Sequence, residues 1–183
     1  MMSVTYEEKP TAIVEVVAYD GTWAEMFAAE RDLLAANIPE AHAIEHIGST
    51  SIPGLAAKPT IDILVVVDEI SGVLDRRSVL AGLGYEYRPG SFADDDEHLF
   101  FRKVSGGRRT HHLHVLASSS PKPESYRLFR DYLIMNGDAA NRYEAAKRAL
   151  ALQYANERGR YIVEKVDVVS ELLSEASRWR SMS

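Results

Sequence analysis

Two neighbouring stretches decide how this chain is read: Ile44-Glu45-His46-Ile47-Gly48-Ser49-Thr50-Ser51-Ile52-Pro53-Gly54-Leu55 and Lys58-Pro59-Thr60-Ile61-Asp62-Ile63-Leu64-Val65-Val66-Val67. The first predicts a short strand over 43–47 that runs into a small, hydroxyl-rich turn. Glycine there lets another group approach the backbone closely. Free N–H groups with the hydroxyls of Ser49, Thr50 and Ser51 suit phosphate oxygens. The same residues also suit a helix cap, and the loop by itself leaves both readings open. The second stretch is apolar and β-branched except at Asp62, the pattern of a central strand covered on both faces. A carboxylate in such a strand is costly unless it is paired, solvated or bound to metal, so Asp62 is read as functional. Lys58 just upstream suits either a phosphate or Asp62 as its partner.

Working outward, Ile13–Val17 is predicted to be an edge strand. Asp20 is expected to cap a helix with Trp23, Phe27 and Leu34 on one face, ended by Asn37-Ile38-Pro39. A helix is expected over 70–83, then strands at 85–88 and 99–104. Ser105-Gly106-Gly107 reads as the turn of a hairpin whose second strand holds His111-His112-Leu113-His114-Val115-Leu116. Strand alternation puts His112 and His114 on one face, where they suit a shared metal or phosphate, or hydrogen bonds within the sheet. After a polar linker the pattern turns helical, over 124–135, 139–156 and 161–179. The run Asp94-Asp95-Asp96-Glu97 reads as solvated surface. Arg102, Lys103, Arg108 and Arg109 read as a local basic rim. The pairs Tyr143/Lys147 and Tyr161/Lys165 are read as ring-on-stem packing along helices.

Composition sets the outer bounds. The 183 residues are 46% apolar and 26% charged, enough for a substantial core. The net charge of -6 argues against an extended nucleic-acid surface, though it leaves room for a local basic pocket. There is no cysteine, which excludes disulfides, thiolate zinc sites and cysteine nucleophiles. No stretch approaches the roughly 20 apolar residues that cross a bilayer, and Met1–Pro10 lacks the features of a signal peptide. The expectation is a cytoplasmic protein with no membrane partner.

The stretch Ile44–Ile63, with Val16–Trp23, His112–Val115, Phe129–Leu133, Tyr143 with Lys147 and Tyr161 with Lys165, resembles the GrpB-like family, itself similar to DNA polymerase β-like nucleotidyltransferases. The resemblance implies an α/β (α+β) fold: a nucleotidyltransferase-like mixed sheet with helices. It implies one domain over 1–183, with a core over 1–117 and a helical extension over 118–183. It further implies that Gly48 and Ser49 grip nucleotide phosphates and that Asp62 is the first metal-binding carboxylate. Catalytic roles fall to Asp62 and Lys58, and phosphate or nucleotide binding to Gly48, Ser49, Thr50, Ser51 and Lys58.

The family pattern is departed from at Leu64, where a second acid is usual, and at the third acid's strand, which carries His112 and His114. One carboxylate makes a poor all-oxygen Mg²⁺ site unless water and substrate phosphates complete it. Asp62 with His112 and His114 forms a carboxylate–imidazole set better suited to Mn²⁺, Fe²⁺ or Zn²⁺. The expected ligand is a nucleotide or another phosphate-bearing small molecule, and the expected chemistry is nucleotidyl transfer from a nucleoside triphosphate. Two alternatives stand beside it. One is a non-catalytic nucleotide- or phosphate-binding accessory module; similar domains are fused to dephospho-CoA kinase in some bacteria. The other is a metal-dependent phosphohydrolase that uses the histidines.

Overall fold

The computed structural model describes residues 13–92 and 95–182. The elements follow in the order α1 (Thr22–Asn37), β1 (Ala43–Ile47), β2 (Ile61–Val67), α2 (Ile70–Asp75), α3 (Arg77–Gly82), β3 (Tyr85–Tyr87), β4 (His98–Ser105), β5 (Arg108–Ala117), α4 (Lys122–Met135), α5 (Gly137–Gln153) and α6 (Arg158–Met182). The five strands form one mixed sheet in the order β1-β2-β5-β4-β3. β2 and β5 run parallel at its centre, and the other neighbours are antiparallel. The fold is α/β, as the sequence implied.

The unbroken apolar run of β2 is explained by this central place, since both faces must be covered. One face carries Ile61, Ile63, Val65 and Val67, which pack with Trp23, Leu34 and Ile38 of the α1 region and with Val73 and Leu80. The other carries Asp62, Leu64 and Val66. There Leu64 and Val66 join Ile47, Leu116 and Tyr126 in a separate cluster beneath α4. Ile52 and Leu55, just after the turn, pack with Leu128, Tyr132, Tyr143 and Leu172 of the C-terminal helices. The two faces therefore have different jobs: one is core, and the other is shared between core and site.

Local signals account for most boundaries. Asp20 accepts from the Thr22 amide at 2.9 Å at the start of α1. Gly106 and Gly107 both have positive φ, 58° and 76°, as a tight two-residue hairpin between Ser105 and Arg108 requires. Two expectations fail. Ile13–Val17 is not an edge strand. Val14 is buried and donates to Ala155 O at 2.8 Å, whereas Val17 forms an isolated bridge with Ala57, so the segment divides its hydrogen bonds between the helical layer and a loop. The helix expected over 70–83 breaks at Arg76, where ψ is 8° and the guanidinium reaches Glu40 at 3.1 Å.

The acidic run is exposed at Asp96 and Glu97, as expected, but not at Asp95. Asp94 lies outside the described residues, but Asp95 pairs with Lys122 and lies 3.4 Å from His98, and its side chain is only 16% exposed. No helix among the described residues is long and apolar enough to cross a membrane.

Candidate functional site

The site starts from the end of β1 and the start of β2. The antiparallel register sets Ile47 beside Asp62, so the turn that follows Ile47 folds back over the carboxylate. Gly48 has φ 72° and ψ -173°, a region reached essentially only by glycine. A Cβ at Gly48 would stand 2.4 Å from Asp62 Oδ2, so both the backbone angle and the close approach require the absent side chain. Ser49–Ser51 then forms one short 3-10 turn.

The hydroxyls of that turn do different things. Ser51 Oγ donates to Gly48 O at 2.6 Å, which closes the turn on itself. Thr50 is buried, donates to Thr60 O at 3.3 Å and lies 3.0 Å from His46 Nε2. Both of those hydroxyls hold the loop together. Only Ser49 turns its hydroxyl toward the helical layer, where it lies 3.5 Å from the Tyr143 hydroxyl. His46 faces the opposite side of the sheet and stacks on Phe27, with ring centroids 4.8 Å apart.

The parallel register of β2 and β5 aligns Asp62 with His112 and Leu64 with His114. His112 Nδ1 donates to Asp62 Oδ1 at 2.8 Å, leaving its Nε2 buried without a partner. His114 shares the face but turns elsewhere: its Nδ1 lies 3.0 Å from His98 Nε2, across the β4–β5 pair. The three-ligand set expected of Asp62, His112 and His114 is therefore not gathered. Among the described residues no three His, Asp or Glu side chains are placed to hold a metal ion. Leu64, where a second acid is usual, is fully buried in the core.

What surrounds Asp62 is mainly positive. Lys58 is half-buried; burial and the charges of Arg158, Arg109 and Lys165 lower its ammonium to about 8, against the pull of Asp62. Arg158 is pushed down to about 10 by burial and by Arg109 and Arg102, again against Asp62. Lys165, beside the hydroxyls of Tyr143 and Tyr161 and near Asp62, is held above its ordinary range. Burial presses the Asp62 carboxyl upward, but the hydrogen bond from His112 and the nearby Lys165 charge outweigh it and hold the group below its ordinary range. One carboxylate thus stands among cations from a loop, the start of β5 and α6. Such a field favours a polyanion.

The helical layer also grips the loop. Ala56 N donates to Glu144 Oε2 at 2.8 Å, and Lys147 Nζ donates to Ala56 O at 2.6 Å. Lys147 is buried and sits 4.5 Å over the Tyr143 ring, and burial with the nearby Lys165 lowers it to about 7. Ring packing, expected for Tyr143/Lys147, is present, but the backbone clasp was not anticipated. Lys165 likewise lies 5.8 Å from the Tyr161 ring centroid while facing the site. Arg158 was missed outright. It sits far along the chain at the start of a helix, where an arginine carries no signal of its own.

The family described as "GrpB protein" matches residues 13–175. The UPF0157 protein YqkA of Bacillus subtilis (strain 168) is 37% identical over 172 residues, covering 93% of this chain and 49% of that protein. This chain thus spans about half the length of that relative. A crystal structure of the conserved protein GrpB from Enterococcus faecalis is similar at TM-score 0.78 and 33% identity, covering 88% of this chain and 98% of its own. A structure of the Cid1 poly(U) polymerase is similar at TM-score 0.49 and 16% identity over 76% of this chain and 43% of its own. The family match over most of the described residues, with a relative and a solved structure above 30% identity, leads to one conclusion: this chain belongs to the GrpB family.

Proposed function

We propose that the chain binds a nucleoside triphosphate in the cleft between β2 and the C-terminal helices and transfers its nucleotidyl group to an acceptor. The observation that carries this is the cluster Lys58, Arg109, Arg158 and Lys165 around the single carboxylate Asp62, beside a glycine turn with an outward Ser49. The cations suit the phosphates, and Ser49 and the turn's amides suit the oxygens nearest the backbone. His112 fixes the Asp62 carboxylate through Oδ1 and leaves Oδ2 toward the turn. Phosphoryl chemistry of this kind needs mostly positioning and electrostatic stabilisation, which these residues supply.

The residues fit a hard divalent cation that draws most of its shell from water and phosphate, with Asp62 as the protein's carboxylate. They do not fit a site built from Asp62, His112 and His114 together, because His114 turns to His98 and among the described residues no three such side chains converge. When bound, such a cation would neutralise charge on the phosphates.

A second reading rests on Leu64. Its burial in the core leaves one carboxylate where the resemblance implies more, which favours a module that binds nucleotide without turnover. The test is the protein's melting curve with nucleoside triphosphates and inorganic triphosphate, with and without Mg²⁺ or Mn²⁺. A ligand at 100 times its Kd adds about 2.7 kcal/mol of stability. No stabilisation by any of them at millimolar concentration overturns the proposal. Pyrophosphate release, cut about 10²–10³-fold by Asp62→Asn, distinguishes transfer from binding alone.

A further inference from the structure

A second feature of the same cleft is unused by the reading above. Between α4 and α6 lies a pocket of about 270 Å³ whose wall is almost all carbon, formed by Lys122, Ser125, Tyr126, Phe129, Val169 and Leu173. It adjoins the cationic end of the cleft in three places. The Tyr126 ring lies 5.5 Å from that of His114. Phe129 meets Tyr143 edge-on at 5.4 Å, and the Tyr143 hydroxyl is the one beside Ser49. Val169 stands one helical turn beyond Lys165, whose ammonium lies within the electrostatic reach of Asp62. The cleft therefore has a cationic end and a flat apolar end, the two ends of a nucleoside triphosphate.

We propose that this pocket holds the nucleobase and accepts any of the common bases. The proposal rests on the triphosphate reading above. Discrimination between bases requires buried polar groups free to meet a base edge; an apolar pocket separates related ligands by only about 10–200-fold. Here those groups are already committed. Lys122 is tied to Asp95, and Ser125 Oγ donates to Pro121 O at 3.4 Å. The Lys122 amide donates to Ser120 Oγ and the Ser125 amide to Pro121 O, and the amides deeper in α4 and α6 are spent within their helices. The Tyr126 hydroxyl remains, pushed up by burial and by Asp62 and Asp95, so at neutral pH it keeps its proton. A phenol donates or accepts, and so serves either kind of edge. The rings of Tyr126 and Phe129 offer stacking, which every base can use.

The experiment measures Kd by calorimetry on the full chain with Mg²⁺ for ATP, GTP, CTP, UTP and inorganic triphosphate. The four nucleotides are expected within about tenfold of one another, and inorganic triphosphate at least about tenfold weaker. Val169→Trp, which fills the pocket, and Ser125→Trp, which covers it from the exposed rim, should each weaken the nucleotides about tenfold or more. Triphosphate affinity should stay unchanged, which also reports that each variant is folded. Triphosphate binding as tight as nucleotide binding, or one base preferred more than about 200-fold, overturns the pocket proposal and leaves the triphosphate reading standing. Equal loss for triphosphate and nucleotides in both folded variants overturns it too. If neither triphosphate nor any nucleotide binds, both fall.

Discussion

Replacing Gly48 with alanine tests the joint between the turn and the carboxylate. The perturbation has two parts. The first is backbone strain, since φ 72° with ψ -173° costs a residue with a Cβ about 1–3 kcal/mol. The second is contact: the new Cβ falls 2.4 Å from Asp62 Oδ2 and 3.0 Å from Asp62 Cβ and Cγ. The carboxylate cannot swing aside freely, because Oδ1 is held by His112 at 2.8 Å. Losing that charge-assisted bond costs about 1.5–3 kcal/mol more. Gly48→Ala should therefore lower the unfolding free energy by about 2.5–6 kcal/mol, the sum of those two ranges, read from urea denaturation. A double-mutant cycle separates the parts. With Asp62→Ala already present, the Oδ2 and Cγ contacts and the bond are gone and only the 3.0 Å approach to Cβ remains, so Gly48→Ala should cost little beyond its backbone share. The expected coupling is about 1.5–3 kcal/mol. A coupling below about 0.5 kcal/mol would mean that the close approach to Asp62 is not what requires glycine here.

Three further outcomes follow from the charges. Burial lowers His98 to about 4 and His114 to about 3, so below pH 6.5 the unfolded chain takes up protons that the folded one refuses. Stability is complete above that pH and falls on acidification. Each histidine costs roughly 2 kcal/mol by pH 5, and His114→Gln should flatten the urea midpoint against pH; a variant profile parallel to wild type contradicts this. Lys58, lowered to about 8, loses its charge as pH rises through that value, so triphosphate affinity should decline above pH 8 in wild type. The decline should shrink in Lys58→Met, and equal declines would remove Lys58 from the anion site. Leu64→Asp places an unpaired carboxylate in a fully buried position and should cost about 3–5 kcal/mol. A gain in Mn²⁺ affinity with stability kept would show that the position borders the cleft after all.

Much of the fold was legible because local chemistry demanded it. An apolar β-branched run must be covered on both sides, which placed β2 at the sheet's centre, and Gly106-Gly107 supplied the two positive φ angles of the hairpin. Asp62 stood out because a carboxylate in such a strand needs a reason. Alternation correctly put His112 and His114 on one face, but alternation specifies a face and not a neighbour. The strand order decided the rest, giving Asp62 to His112 through β2–β5 pairing and His98 to His114 through β4–β5. The same limit explains Ile13–Val17, whose β-branched residues favour extension while the partners available to them lie in a loop and a helical layer. The cations were least legible. Lys58, Arg109, Arg158 and Lys165 are scattered along more than a hundred residues of a chain with net charge -6; Lys58 stood out only through its place beside Asp62 and Arg109 only as part of a basic rim, while Arg158 and Lys165 carried no signal as partners of an anion. Their long-range approach comes from the packing of α5 and α6 on α4 and on the loop after β1, driven by apolar contacts such as those among Ile52, Leu55, Tyr143 and Leu172. Hydrophobic burial pulled the charges together, and no local pattern in the sequence carries the sign of a field that only the folded chain assembles.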